Sequence, residues 1–322
     1  MLEQIRERFH RRGLIMTPNN DKQAYIPSGA IPVENPNGTA PAFIVEDPRG
    51  VVISLPGVPF EMKWLFEHEV APYLRTKFGL SEVITYRVLK VADLGESSVD
   101  DRIGYLIASS SNPTLGVLAH PGQVDVRIAA KAANLQDAHA LIAPVEEEVR
   151  GLLGRHVFAV DNQTMEDVVG ELLRQRELTI AVYEDLTGGM TAERLQQASR
   201  DHFTEGIIGN STASIRRLLA ALGKSSNEMD GLLQDDAGLT DELARAVRVY
   251  SGSRLGLAVH VVPQSDQPAT QNLGQGKTYM AVAGTDVLRN RAYNYAGRGL
   301  PDRTRISLNA TDLVRCTLME AL

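Results

Sequence analysis

Asn19-Asn20, Lys22-Gln23-Ala24, Pro27, Gly29-Ala30, Gly38-Thr39-Ala40-Pro41 and Leu55-Pro56-Gly57-Val58-Pro59-Phe60-Glu61-Met62 follow one another between positions 19 and 62. Few folds place so much glycine, proline and amide chemistry in so short a stretch. The last of these motifs is the most telling, because an apolar run at 51–55 enters Pro-Gly-Val-Pro and leaves as an amphipathic segment. That order predicts strand, turn and helix. Two readings of the turn stand side by side. Pro59 near the first helical turn loses nothing by lacking an N–H, which makes a plain connection. Alternatively, backbone N–H groups at a glycine turn before a helix N-terminus favour anions, and the turn is a phosphate cradle.

Outward from this stretch, residues 1–12 read as a helix with Leu2, Ile5 and Phe9 at near-helical spacing. Residues 60–78 read as a second helix, which Pro72 should kink or cap. A strand is expected at 83–91, then a helix from Ser97 or Ser98 with Asp100 and Asp101 in its first turn. Strands at 114–119 and 124–129 flank His120-Pro121-Gly122, a hairpin-like tripeptide, and a helix at 135–153 follows. Thr164 and Asp167 have the spacing of a weak capping box ahead of a helix at 165–173. Next come a strand at 178–183, a loop at 184–186 and Thr187-Gly188-Gly189, with Thr187 capping a helix that runs to about 199. Further strands are expected at 206–208, 255–262 and 278–283, and helices at 213–222, 240–250 and 302–318, with a polar loop at 264–275. The whole is an α/β pattern.

At 322 residues and 43% hydrophobic content the chain should hold two or three domains with real cores. Its net charge of -7 disfavours electrostatic attraction to nucleic acid or anionic membranes. The single Cys316 excludes an internal disulfide and fits packing in the C-terminal helix. No apolar run reaches the roughly 18 to 20 residues that span a bilayer, and Glu3, Arg6, Glu7 and Arg8 interrupt any signal-peptide core. A cytoplasmic protein is expected.

Taken together, the motifs at 19–62 resemble the second half of the molybdopterin-binding-like α/β domain that opens CinA-family proteins. The resemblance continues: Gly95-Glu96-Ser97, Asn112-Pro113-Thr114 and residues 122–131 look like the family's KH-type α/β middle domain, and residues 164–320 like its C-terminal α/β amidohydrolase domain. It implies three regions, at 1–80, 81–160 and 161–322. For the first it implies nucleotide binding by Asn20, Lys22 and Gln23, by Gly38 and Thr39, and by Pro56, Gly57 and Val58. Nothing like the family's opening Gly-Gly-x-Gly-Pro-Thr-x-Asp-Asp motif is present. A parallel α/β domain starting at residue 1 would leave sheet faces unpaired. A truncated chain or a late start is therefore expected, or else a subdomain at 1–80 stabilised by a partner chain. Exposed sheet surface there favours a homo-oligomer.

In the resembling amidohydrolases, Ala-Glu-Ser-Cys-Thr-Gly-Gly carries the serine nucleophile that acts on nicotinamide mononucleotide. Here the element reads Tyr183-Glu184-Asp185-Leu186-Thr187-Gly188-Gly189, so Asp185 stands at the serine position, between Glu184 and Thr187. Asn210 replaces the family tyrosine, Ile215 stands at the lysine position, and His260 to Asp266 takes the place of a Thr-Gly-x-Ala-Gly-Pro loop. Ser211 with Lys277, or Asp185 with His202 or His260, have the right residue types for a rescued hydrolase or a metal site, but sequence spacing supports neither. None of the seven histidines forms a His-x-x-x-His pair, and no metal ligand is assigned. Nucleic acid is not expected as a partner: Arg87, Lys90, Arg127 and Lys131 are scattered, and no basic Gly-x-x-Gly clamp is assigned to 83–160.

The expected function is that of a CinA-like protein of pyridine-nucleotide and ADP-ribose recycling, without nicotinamide mononucleotide deamidation. One alternative is an ADP-ribose pyrophosphatase yielding AMP and ribose 5-phosphate, with Mg²⁺ or Co²⁺, and K⁺, as cofactors. A second is an intact amidohydrolase.

Overall fold

The computed structural model describes residues 2–11, 13, 15–264 and 274–320. Most of the polar loop expected at 264–275, with Ser265 and Asp266, lies outside them. The chain divides into two compact units, Met1–Glu82 and Val83–Leu322.

In the first unit, α1 (Leu2–Arg11) precedes a three-stranded sheet of β1 (Ile31–Val33), β2 (Ala42–Asp47) and β3 (Gly50–Ser54), in the order β1-β2-β3. Every pair in this sheet is antiparallel, not parallel as the family resemblance suggested. The local cause is the two-residue turn at Pro48 and Arg49, where Asp47 Oδ1 accepts from the Arg49 N–H at 3.0 Å. Pro59 opens α2 (Pro59–Leu65), as expected of a strand-to-helix connection. A π-turn at Phe66–Val70 separates α2 from α3 (Ala71–Phe78). Pro72 cannot supply the N–H that a continuous helix would need there. Leu65 packs with Val33, Ala42 and Ile44 in a small core.

The second unit contains two sheets. The first joins β4 (Val83–Ala92), β5 (Thr114–His120), β6 (Gln123–Ala132) and β7 (Val157–Val160) in the order β5-β6-β4-β7, all antiparallel. Two helices, α4 (Glu96–Ser109) and α5 (Leu135–Leu153), cover one face through Val99, Ile103, Ile142 and Val149. α4 starts at Glu96, after Gly95 and ahead of the expected Ser97 or Ser98, so Glu96 is its first-turn acid in place of Asp100 and Asp101. The assignment of no clamp-like loop also needs correction, because Gly151-Leu152-Leu153-Gly154 has that spacing between Arg150 and Arg155. It forms the last turn and cap of α5 instead of a loop. Leu153 is buried in the core, Arg150 pairs with Glu146 and Arg155 with Glu320.

The remaining elements are α6 (Met165–Gln175), β8 (Ile180–Glu184), α7 (Met190–Ala198), β9 (Phe203–Ile208), α8 (Thr212–Leu219), α9 (Ser226–Leu232), α10 (Asp236–Ser251), β10 (Leu255–Pro263), β11 (Gly276–Ala283), β12 (Leu288–Tyr295) and α11 (Leu300–Glu320). The capping box on α6 is present: Thr164 Oγ1 accepts from the Asp167 N–H, and Asp167 accepts from the Thr164 N–H. The five-stranded sheet has the order β12-β11-β10-β8-β9, with β10, β8 and β9 parallel. Ile180 and Val182 face the core shared with α6, α7 and α11, while Ala181 and Tyr183 face that of α8 and α10. Cys316 is buried in α11, and burial raises its thiol pKa above the ordinary value. No described helix is long and apolar enough to cross a membrane.

Candidate functional site

From β8 the chain moves outward to β9 and then returns across β8 to β10. Its connections cover opposite faces, α7 on one and α8 to α10 on the other. Where a parallel sheet reverses in this way, a crevice forms at the carboxyl ends of the strands. Glu184, Asp185 and His260 meet there.

Glu184 ends β8 with 0% exposure and accepts hydrogen bonds from Thr187 Oγ1, the Thr191 N–H (3.1 Å) and the Ala192 N–H (2.8 Å). α7 opens at Gly189, which has no side chain to cap it, so the carboxylate of Glu184 serves as the cap. The expected loop therefore begins one residue later, and Thr187 supports Glu184 rather than capping α7 itself. Gly188 takes φ +67°, and a Cβ there would lie 2.2 Å from Nη2 of Arg303, which donates to Thr187 O at 3.1 Å.

Asp185 is 6% exposed. It accepts from the Leu186 N–H, from the Val261 N–H at 3.1 and 3.2 Å, and from His260 Nδ1 at 2.7 Å. The other ring nitrogen of His260 faces Asp236 Oδ1 at 3.5 Å. Burial alone would lower the pKa of His260, but the Asp185 hydrogen bond and the charges of Asp185 and Asp236 outweigh it and hold the pKa above its ordinary value. With a carboxylate at each nitrogen, the imidazolium is the form that both partners favour. This contact was not legible from spacing. It follows from the parallel register that sets Val259 opposite Glu184.

The other candidates separate. His202 contacts Leu178 O at 2.9 Å, at the opposite end of β8. Ser211 caps α8 by accepting from the Ser214 N–H, and Lys277 lies over the Tyr279 ring at 4.8 Å. Asn210 is exposed, and Ile215 is buried in the α8–α10 core.

In the second unit, Thr191 Oγ1, Arg248 Nε, Thr278 Oγ1, Tyr295 Oη, Arg303 Nε and Ser307 Oγ are buried without a partner among the described residues. The Tyr295 hydroxyl pKa is raised, first by burial and then by the charges of Asp185 and Asp302. Each such orphan costs about 1–3 kcal/mol unless water or a ligand bridges it.

In the first unit, Asn20 donates to Thr17 Oγ1 at 3.0 Å, Gln23 donates to Asn20 Oδ1 at 3.5 Å, and Lys22 shares their 3₁₀ turn, Pro18–Ala24. The turn at Gly38 and Thr39 is organised by Asn35, whose Oδ1 accepts from the Asn37 and Gly38 N–H groups at 3.0 Å each. Asn35 also donates to Glu61 Oε2 at 2.6 Å. A Cβ at Gly38 would lie 1.9 Å from that oxygen, and Arg8 donates to the carbonyls of Asn35 and Gly38. Sequence reasoning missed this Asn35–Glu61 pair, although Glu61 lies inside the quoted motif. Gly38 and Thr39 line a cavity of about 20 Å³, room for about one water; Asn20, Lys22, Gln23, Pro56, Gly57 and Val58 do not line it. Pro56 is buried, while Gly57 and Val58 are exposed. Among the described residues no three His, Cys, Asp or Glu side chains converge to hold a metal ion, so these residues form no cage for a divalent cation.

Residues 86–159 match the family model of the damage-inducible protein CinA KH domain, and residues 162–322 that of the CinA C-terminal domain. A protein of Caldicellulosiruptor saccharolyticus named for competence-damage induction is 33% identical over 321 residues, covering 99% of this chain and 77% of that protein. A CinA-like protein of Nostoc sp. is 34% identical over 300 residues, covering 92% of this chain and 69% of its own length. A solved CinA superfamily protein of Klebsiella pneumoniae is 14% identical, covers 49% of this chain and 99% of that one, and has a TM-score of 0.40.

Proposed function

This chain belongs to the CinA family, and we propose that it is a cytoplasmic CinA-like protein of pyridine-nucleotide and ADP-ribose recycling whose C-terminal domain binds its ligand without deamidating it. The observation that carries this reading is the state of Asp185. Its oxygens accept from the Leu186 and Val261 N–H groups and from His260, in the place where the resembling hydrolases carry a serine. A carboxylate held in this way has no proton for a base to remove, and acyl transfer to it would give an anhydride. The unpaired Tyr295, Thr191 and Arg303 atoms support retained binding, because polar groups buried without partners favour a polar occupant. Nucleotide contact by the first unit, through Asn20, Lys22, Gln23 and the Gly38 and Gly57 turns, belongs to the same proposal.

The test is one incubation of the purified chain with ADP-ribose, nicotinamide mononucleotide, Mg²⁺ or Co²⁺, and K⁺, with products identified by mass spectrometry. Nicotinamide mononucleotide should be recovered unchanged. Its conversion to nicotinic acid mononucleotide at the rate of a serine-bearing relative would overturn the reading. AMP with ribose 5-phosphate would favour the pyrophosphatase alternative.

A further inference from the structure

The Gly95-Glu96-Ser97 motif and the His120-Pro121-Gly122 turn belong to the four-stranded sheet region and play no part at Asp185. The fold brings them together. Within the second unit, the end of β4, the start of α4, the β5–β6 turn, β12 and α11 enclose a cavity of about 260 Å³. The site is independent of the Asp185 crevice and of the function proposed for it.

Asn309 shows that this space is more than a gap between sheets. It is 9% exposed, lines the cavity, and its carboxamide has no hydrogen-bond partner among the described residues. Such an amide offers two donors and one acceptor to whatever fills the cavity. One helical turn earlier, Arg305 also lines the cavity, and its exposed guanidinium has no carboxylate partner among the described residues. Opposite them α4, fourteen residues long, begins after Gly95 with no side-chain cap, and Gly95 and Glu96 form part of the lining. A helix N-terminus beside an unpaired arginine is the pairing that recognises phosphate.

The remaining charges limit what fits. Asp93, held at φ +60°, is occupied: Tyr293 Oη donates to it at 2.7 Å, and Arg291 lies 3.4 Å away. His120 faces Asp125 at 3.3 Å. Glu96 is left as an anion at the helix end and opposes a second or third phosphate. We infer that this junction binds a small organic phosphate monoester of mononucleotide size or less, with its phosphate at Arg305 and the α4 N-terminus and its organic part hydrogen-bonded by Asn309.

Isothermal titration of the full chain with AMP, ATP and inorganic phosphate tests this. AMP should bind with a Kd of about 1 mM or tighter, and more tightly than either ATP or inorganic phosphate. Arg305→Ala, an exposed position that should not disturb folding, and Asn309→Leu should each weaken AMP by about tenfold or more, the effect of losing a hydrogen bond to a charged or buried group. Arg49→Ala, at an exposed arginine of the first unit that pairs with Asp47, should leave AMP binding unchanged. No AMP binding in that range, wild-type affinity in Arg305→Ala, an equal loss in Arg49→Ala, or inorganic phosphate binding as tightly as AMP would each overturn the inference.

Discussion

Two turns, Pro56-Gly57-Val58-Pro59 in the first unit and Thr187-Gly188-Gly189 in the second, lead from a strand to a helix through glycine and end in opposite electrostatic states. α2 starts after Val58 with no side chain on its first N–H groups. α7 starts after Gly189 with the buried carboxylate of Glu184 on the N–H groups of Thr191 and Ala192. A glycine turn therefore says where backbone donors gather, and the residue that ends the strand decides whether they are already occupied. At the second turn the protein supplies its own anion, and Asp185 beside it is satisfied by donors from β10.

The largest effect that would test this contrast is Glu184→Ala. It strips three donors of their acceptor in a fully buried place, and a loss of about 2–4 kcal/mol is expected from the shift in urea midpoint. A loss within about 0.5 kcal/mol, the range for surface changes, would mean that Glu184 is not the cap. Next come the glycines themselves. Gly188→Ala meets both a left-handed backbone and Arg303, and should cost about 1–2 kcal/mol. Gly57→Ala adds a methyl where nothing lies within 4 Å, and should fall within about 0.5 kcal/mol. Equal effects at the two positions would erase the difference between the turns.

A smaller effect should appear with pH. His260 has its folded pKa raised above its unfolded value, so it contributes stability that is fully present below about pH 6.5 and is lost as pH rises through the folded pKa. The wild-type advantage in Tm over His260→Leu should shrink across that window. An advantage that grows with pH would show that the ring is held neutral. The smallest expected change is in activity: Asp185→Ser alone should release no ammonia from nicotinamide mononucleotide, because Asn210 is exposed and Ile215 is packed in the core where a base would be needed. Ammonia release near that of a serine-bearing relative would show that the second turn lacks only its nucleophile.

Local signals were legible where chemistry within a few residues suffices. The bounds of α5, the Thr164–Asp167 box, the β5–β6 turn and Pro59 at the start of α2 all depend on contacts between near neighbours in the chain. β12 was missed because Leu288-Arg289-Asn290-Arg291 presents polar residues on an edge strand, and α9 because a seven-residue helix shows too little periodicity. Glu184 and Asp185 were visible as candidates, yet their roles were not. Asp185 meets His260 and Val261, which lie 75 and 76 positions away. The cavity at Asn309 was equally hidden, since its walls come from residues scattered between Asp93 and Asn309.

Sequence by itself determined the family and the α/β class, and singled out Glu184 and Asp185 as site candidates, because motif order and side-chain periodicity are properties of neighbouring residues. Only the tertiary structure decided that Glu184 caps α7, that His260 is clasped between Asp185 and Asp236, and that Asn309 faces a cavity without a partner. Hydrogen bonds and burial act across strand register and helix packing, and these bring together groups whose separation along the chain carries no trace of the contact.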